Sequence, residues 1–287
     1  MPAAYTGLTE GTAMRVMISA DMEGASGVTW PDDVVPGTEQ WQRFRRMLTS
    51  DVNAAIAGFY AGGASDVQVT EAHSTMRNIL LEDLDPRAVM LTGRHKPLGM
   101  MDGVAEADAV AFVGYHAGAG EPGVLAHTYL GAGLIGLWIN GEPASEGRLN
   151  ALLAGSYGVP VVLVTGDEQC CADAAGYAPA AEAVAVKTSV SRYAAICRHP
   201  SVTATEIEAA AHRAARPAGR AEPVTGRWRF EVEFHATQLA DAATQIPDVE
   251  LVTPRRVGFE LDDIVVAARC FRACTQLAGA AVERDYG

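Results

Sequence analysis

Short apolar runs alternate with stretches of helical periodicity through the first two thirds of the chain. These runs predict β-strands at 15–20, 66–70, 88–92, 109–114, 134–139, 159–165 and 183–187. Apolar residues recur three and four positions apart at 39–62, and a shorter helix is predicted at 146–154. Strands that alternate with helices are typical of a mostly parallel sheet with flanking helices. The pattern therefore predicts an α/β fold.

The pattern changes after about residue 195. A helix is predicted at 203–216, where the first Thr and Glu206 have the spacing of a capping box. Alternating polar and apolar residues at 227–234 predict a half-exposed strand. Further strands near 250–261 precede a C-terminal helix. These elements predict a smaller C-terminal α+β domain.

The chain therefore divides into three predicted segments. Residues 1–13, rich in Ala, Gly and Thr, form a flexible leader. Residues 14–195 form an α/β catalytic domain that binds metal. Residues 196–287 form the smaller α+β domain.

Composition excludes several classes of partner. Hydrophobic residues make up 49% and charged residues 20% of the 287 residues, as in ordinary globular proteins. A net charge of -13 argues against nucleic acid and against an anionic membrane surface. No apolar run reaches the ~18 residues of a membrane span, and no signal peptide is recognised at the N-terminus. Five cysteines without a disulfide-like framework predict a cytoplasmic location.

Five side chains that commonly bind metal are spread over the first half of the chain. They are Asp21, Glu23, His73, His116 and Glu146. All but the last come just after a predicted strand. Because the carboxyl ends of parallel strands open into a shared crevice, these side chains can converge there. Three carboxylates and two imidazoles are more than one zinc requires, and they suit two metals held close together.

Each candidate also has an ordinary explanation. Asp21 and Glu23 lie two apart, so they share a face of an extended chain, but a turn residue and a solvated carboxylate would look the same. Glu71 lies two residues before His73 and could orient its ring, although a surface histidine is equally common after a strand. Glu146 stands at a helix N-terminus, where capping alone would account for a carboxylate.

A further histidine, His127, follows a glycine-rich loop. A sixth ligand, an acid/base group and a structural histidine are all compatible with its position. The loop lacks the dinucleotide-binding fingerprint, and the chain contains neither a P-loop nor a G-x-S-x-G nucleophile elbow.

Several segments together resemble a known family. The segments SADMEGASGV, EAHSTM, GYHAGAGEPGVLAH, SEGRLNALLAGSYGVPVVLVTGD and AVKTSVSRYAA resemble, in order, the M55 metallopeptidases, the zinc-dependent D-aminopeptidase family. The similarity extends from about Arg15 to the C-terminal helix. It covers nearly the whole chain, and its combined motifs are highly specific.

The resemblance implies two zinc ions per subunit. By analogy Asp21 bridges both ions, Glu23 and His116 bind one, and His73 and Glu146 bind the other. His127 corresponds to the catalytic residue of the family, which is usually labelled a nucleophile. In a two-zinc site the attacking group is usually a water, so we expect the imidazole to handle protons or to stabilise the oxyanion.

Two departures from the family pattern stand out. Glu71 replaces the Asp that usually precedes the first ligand histidine, so we expect altered contacts around His73 and an intact site. Residues 128–141, which follow His127, are unusually apolar, and we expect them to line the substrate pocket.

The resemblance thus implies a di-zinc aminopeptidase that hydrolyses the N-terminal residue from short peptides, with D-residues as the first substrate expectation. It also implies a homo-oligomer of the ring type, such as a decamer. Alternatives are a two-metal amidase or phosphoesterase, an L-selective aminopeptidase, and a non-catalytic metal-binding assembly protein.

Overall fold

The computed structural model describes residues 14–131, 133–215 and 219–283. The predicted leader at 1–13 lies outside the described residues. The strands, in chain order, are β1 Met14–Ala20, β2 Ala64–Glu71, β3 Val89–Leu91, β4 Ala109–Val113, β5 Leu134–Ile139, β6 Glu142–Pro143, β7 Val161–Asp167, β8 Glu182–Ser191, β9 Ala194–Cys197, β10 Trp228–Phe234, β11 Glu250–Thr253 and β12 Arg256–Leu261. The helices are α1 Pro31–Val34, α2 Glu39–Ala61, α3 Glu146–Ser156, α4 Glu168–Tyr177, α5 Pro200–Ala214, α6 Thr237–Ala243 and α7 Ile264–Ala280.

The first sheet has seven strands in the order β3-β2-β1-β4-β7-β8-β9. All neighbouring strands are parallel except β8 and β9, which are antiparallel. Met17 of β1 packs into the core on one face of this sheet, whereas Val16 and Ile18 pack into the core on the other, as the alternation of a strand requires. The mostly parallel α/β fold predicted from the apolar runs is confirmed.

The second sheet is antiparallel, in the order β11-β12-β10-β5-β6. β5 pairs with β10 through Phe230 opposite Ile139 and Val232 opposite Leu137. The apolar segment at 134–139 therefore joins the C-terminal strands, although it lies within the predicted catalytic domain.

Helix α5 crosses the predicted boundary in the opposite direction. It packs so tightly against α2 that a Cβ added to Gly58 would lie 2.2 Å from the carbonyl oxygen of Glu208. The two sheets thus exchange elements across residue 195. The predicted division of the chain there does not coincide with the division between the sheets, and it stays a prediction.

The start of α5 differs from the sequence prediction. The helix begins at Pro200, after His199, whose side chain accepts a hydrogen bond from the Ser201 amide. Proline suits a first helical position because its fixed φ is already helical. Thr203 lies inside the first turn and donates to the carbonyl of Pro200, so the predicted capping box is wrong.

A buried carboxylate on α2 provides a pH test of the fold. Asp51 accepts hydrogen bonds from the amide and hydroxyl of Ser26 at 2.8 and 2.9 Å. Burial raises the pKa of Asp51 to about 6, although these hydrogen bonds and Lys187 act to lower it. The folded state therefore holds a proton that the unfolded state has lost between about pH 4 and 6, and stability from this group falls as pH rises through that window.

We expect Asp51→Asn to remove this dependence. The free energy of unfolding of the variant, minus that of the wild type, should increase by about 3 kcal/mol between about pH 4 and 7. Denaturant unfolding of both proteins across this range measures the difference. A difference that stays constant with pH would contradict the assigned shift.

Candidate metal centre

Three neighbouring strands deliver the first candidate ligands to one edge of the sheet. Asp21 and Glu23 follow the end of β1, His73 follows β2, and His116 follows β4. Since β1 lies between β2 and β4 and all three are parallel, their carboxyl ends meet. The Asp21 amide donates to the carbonyl of Val113 at 2.8 Å, which continues the β1–β4 ladder into the site.

Two glycines let these chain segments approach each other. The Gly24 amide donates to the carbonyl of Gly114 at 2.8 Å. A Cβ at Gly24 would lie 1.8 Å from the Tyr115 carbonyl oxygen, and one at Gly114 would lie 2.2 Å from the Asp21 carbonyl oxygen. Gly114 also has a φ of 74°, which L side chains rarely adopt. The glycines of the DMEG and VGYH motifs therefore set the separation of Asp21 and His116.

The remaining candidates come from α3 and from the loop before it. Glu146 is the first residue of α3, which Ser145 caps by accepting from the Arg148 amide. The Glu146 carboxylate accepts a hydrogen bond from the Tyr129 amide at 2.7 Å. His127 lies in the preceding loop, and its amide donates to the carbonyl of Ala117. All six candidates line one cavity of about 440 Å³.

Interatomic distances divide the six side chains into two groups. In the first group, Nδ1 of His73 lies 2.9 Å from Oε2 of Glu23 and 3.5 Å from Oδ1 of Asp21. The second group contains His116, His127 and Glu146, with Nε2 of His116 3.8 Å from Oε1 of Glu146. Within each group the potential ligand atoms lie within 4.8 Å of one another. Because Oδ2 of Asp21 lies 3.4 Å from Nε2 of His116, Asp21 connects the two groups.

This grouping differs from the allocation implied by the resemblance. There Glu23 shares a metal with His116, and His73 shares one with Glu146. In the structure Glu23 is adjacent to His73, and Glu146 is adjacent to His116. The connecting position of Asp21 is common to both arrangements.

Each histidine uses one ring nitrogen to bind a main-chain carbonyl. The three contacts are His73 Nε2 with Val34 at 2.8 Å, His116 Nδ1 with Ala117 at 2.9 Å and His127 Nδ1 with Leu125 at 2.9 Å. A carbonyl only accepts, so that nitrogen carries the proton and the other nitrogen of the neutral ring is left with a lone pair. All three remaining nitrogens lie within 4 Å of carboxylate oxygens. A ring nitrogen that faces carboxylates is stabilised by a positive charge between them, which either a proton or a metal ion can supply.

Two carboxylate oxygens support a metal at this position. Oδ2 of Asp21 and Oε2 of Glu23 are buried and have no hydrogen-bond partner within the described ranges. Buried polar atoms almost always have a partner, so these two are suited to an ion. Nitrogen and carboxylate ligands around an open cavity fit zinc. The residues present therefore fit a zinc centre.

The pKa shifts reflect the close packing of opposite charges. Burial acts to raise the pKa of Asp21, but the adjacent imidazoles of His116 and His73 lower it well below its usual range. Burial acts to lower the pKa of His116, but the carboxylates raise it to about 10. Without metal His73 and His116 thus supply the positive charge that balances the carboxylates, and metal binding releases their protons.

His127 differs from the other two histidines. Burial, assisted by the positive charge of His116, lowers its pKa to about 4. The two rings are stacked, with centroids 4.2 Å apart and planes 7° from parallel, so two charged rings would repel each other. At neutral pH His127 therefore keeps its Nε2 lone pair.

Glu71 does not orient the His73 ring, so that sequence hypothesis is wrong. Its carboxylate accepts from the amides of Asn78 and Ile79, each at 2.6 Å, and from the Asn78 side chain at 3.0 Å. Asn78 in turn donates to the main-chain carbonyl of His73 at 2.8 Å. Glu71 thus stabilises the chain segment that carries His73, while Val34 fixes the ring.

A buried lysine on β8 supports the turn that begins at Glu23. Nζ of Lys187, on β8, donates to the carbonyls of Glu23, Ala25 and Val28 at 2.6, 2.9 and 2.7 Å. All three hydrogens of its ammonium group are therefore used by one turn. Sequence reasoning missed this role, although a lysine within the apolar segment AVAVK was a signal, since a buried lysine needs partners.

Two parts of the apolar segment at 128–141 lie in different places in the fold. Tyr129 lines the metal cavity, in agreement with the predicted role in the substrate pocket. Leu134–Ile139 forms β5 of the second sheet instead.

Comparison with known proteins identifies the family. Residues 14–273 match the sequence model of peptidase M55, described as D-aminopeptidase. The chain belongs to the M55 family. It is 34% identical over 271 residues to the D-aminopeptidase of Bacillus subtilis (strain 168), covering 92% of this chain and 98% of that protein. Membership confirms the resemblance and makes the chain an aminopeptidase.

A solved structure agrees with this assignment. It is that of the Zn-dependent D-aminopeptidase DppA from Bacillus subtilis, described as a self-compartmentalizing protease. This M55 chain superposes on it with a TM-score of 0.88 at 32% identity, over 96% of this chain and 100% of that chain. The likeness confirms the predicted fold class over nearly the full length.

Proposed function

We propose that this chain is a di-zinc aminopeptidase that removes the N-terminal D-residue from short peptides. One observation carries the proposal: the free ring nitrogens of three histidines face three carboxylates in one cavity, and two carboxylate oxygens are unpartnered among the described residues. The description of the related Bacillus subtilis enzyme as zinc-dependent supports the choice of metal. The family description supports the D-residue.

Asp21 is proposed as the shared ligand, with Glu23 and His73 on one side and His116 and Glu146 on the other. When bound, zinc supplies Lewis acidity towards the scissile carbonyl and towards water.

His127 is proposed as the catalytic histidine. Its Nδ1–H is fixed by the Leu125 carbonyl at 2.9 Å, which directs Nε2 into the cavity. A neutral ring in that orientation accepts a proton at Nε2 and returns it to the leaving amine. Once protonated, the same nitrogen donates to a developing oxyanion.

Aminoacyl anilides in D and L forms, assayed beside a phosphodiester on the zinc-loaded protein, test the proposal. We expect turnover of the D-anilides and none of the phosphodiester. Turnover of the phosphodiester alone would overturn the peptidase assignment, and preferential turnover of the L-anilides would overturn the D-selectivity. Turnover of simple amides but no peptides would favour a two-metal amidase.

Metal content is a separate prediction. Gently purified protein should contain about two zinc ions per chain, since each group of ligands suits one ion. Elemental analysis with protein quantified by absorbance measures the ratio. Less than about one ion per chain would favour the alternative of a non-catalytic protein with a degenerate site.

We also propose a homo-oligomer of the ring type, a decamer being the specific expectation, with short peptides as substrates and with neither nucleic acid nor membrane as a partner. The self-compartmentalizing nature of the related enzyme supports this proposal. Light scattering measures the mass of the assembly, and a monomer would contradict the proposed oligomer.

A cytoplasmic location is proposed from the five free cysteines. No helix within the described ranges is long and apolar enough to cross a membrane.

A further inference from the structure

A second cavity opens beside the metal cavity. It has a volume of about 540 Å³, within the range of ligand sites. Five residues line both cavities: Ser74, Met76, Arg94, Met100 and Tyr129. The two cavities therefore lie side by side and share part of their lining.

The second cavity is basic, in a chain with a net charge of -13. Its lining includes Arg94, Lys96, Arg269 and Arg272 and contains no aspartate or glutamate. None of these four cations forms an ion pair with a carboxylate within the described part of the chain. Most other arginines of this acidic protein have such a partner, so the cluster is suited to an external anion.

The hydrogen bonds show which donors are free. Nζ of Lys96 donates a hydrogen bond to the carbonyl of Glu71. The two Nη groups of Arg272 donate to the carbonyls of Lys96 and Pro97. Arg94 donates Nε to the carbonyl of Ser74 at 2.8 Å, which leaves its two Nη groups available. Arg269 is exposed on α7, and its side chain makes no hydrogen bond within the described ranges. Arg94 and Arg269 are therefore the two guanidinium groups available to a ligand.

We propose that this basic cavity binds the free C-terminal carboxylate of the peptide whose N-terminal residue lies at the metal centre. The inference rests on the proposed aminopeptidase function and names the substrate class more closely. The proposed reaction places the N-terminal residue of a short peptide at the metal centre, and the negative charge at the other end of the peptide matches the basic cavity beside it. A guanidinium pairs with a carboxylate through two parallel hydrogen bonds.

The arrangement also limits the length of the substrate. An extended residue spans at most ~3.6 Å, so only peptides of a few residues place both ends in adjoining cavities. Arg94, which lines both cavities, serves the carboxylate of a dipeptide. Arg269, which lines only the basic cavity, serves slightly longer peptides. Substrates are therefore free-acid peptides of two to a few residues.

The test compares matched free-acid and C-terminal amide forms of di- and tripeptides with an N-terminal D-alanine. On the zinc-loaded enzyme, kcat/KM should be about tenfold or more higher for the acids, in the range of a hydrogen bond to a charged group. The double variant R94Q/R269Q should lower kcat/KM for the acids by about that factor more than for the amides, chiefly through a higher KM. R43Q/R46Q removes two arginines that line neither cavity and therefore controls for the same change in net charge.

Each other outcome overturns a defined claim. Equal activity on acids and amides by the wild type, or equal losses on both by R94Q/R269Q, overturns the carboxylate site while the aminopeptidase function stands. In the C-terminal amide of D-Ala-D-Glu the only free carboxylate is on the side chain. If this amide is hydrolysed as efficiently as the free-acid peptides, the assignment of the site to the C-terminus is overturned. No hydrolysis of any of these peptides overturns the proposed function itself.

Discussion

Asp21→Asn should remove both the metal and the activity. The substitution keeps the shape of the side chain but removes the negative charge that lies between His73 and His116. Because the two oxygens of Asp21 face different ligand groups, the loss should affect both ions. We expect zinc content to fall from about two to below one per chain and kcat/KM to fall by at least ~10³-fold, since metal-ion stabilisation of charge is worth several kcal/mol.

Asp167→Asn is the matched control. Asp167 is also buried and also ends a strand of the first sheet, but its oxygens accept from the amides of Val124 and Cys170. The Asp167→Asn protein should keep its full zinc content of about two ions per chain. Asp21→Asn protein that still binds about two zinc ions would show that Asp21 is not the shared ligand.

His127→Ala should abolish turnover while zinc stays bound. General acid–base catalysis contributes ~10²–10⁴-fold, and we expect kcat to fall within that range. The metal should remain because Asp21, Glu23, His73, His116 and Glu146 are unchanged. His235→Ala, which removes an exposed histidine outside the cavity, should be as active as the wild type.

Zinc analysis of the same variant separates ligand from catalyst. A loss of about one zinc per chain would mean that His127 is a ligand of the second group, as its closeness to His116 and Glu146 allows. His127→Gln then distinguishes the two catalytic roles. Glutamine donates a hydrogen bond but cannot accept and release a proton near neutral pH, so partial activity favours oxyanion stabilisation and Ala-like activity favours proton transfer.

The elements predicted most directly from the sequence are the strands that are buried on both faces. A strand buried on both faces, such as β1 or β4, is a continuous apolar run between turns, and it places the residue after its end at the sheet edge. Asp21 and His116 follow such strands, and His73 follows β2, in which polar and apolar residues alternate, so their convergence could be predicted. The family resemblance added His127, which lies in a loop without any periodic pattern.

Pairing between distant segments could not be predicted. β5 is as apolar as the strands of the first sheet, and only its partner β10 assigns it to the second. The orientation of His73 depends on the carbonyl of Val34, and a main-chain group leaves no trace in residue type. Glu71 looked like a partner of His73 because of spacing, but folding brings the amides of Asn78 and Ile79 to it instead.

Because of Lys187 on β8, the turn that carries a candidate ligand depends on a strand that is synthesised much later. Lys187 holds the turn that begins at Glu23, a residue 164 positions earlier. During synthesis Asp21 and Glu23 emerge first, but we expect their turn to stay loose until β8 has joined the sheet. A nascent chain would therefore bind zinc weakly, and hydrolytic activity would mature only with nearly complete folding. Zinc affinity would then report on the integrity of a strand that contributes no ligand.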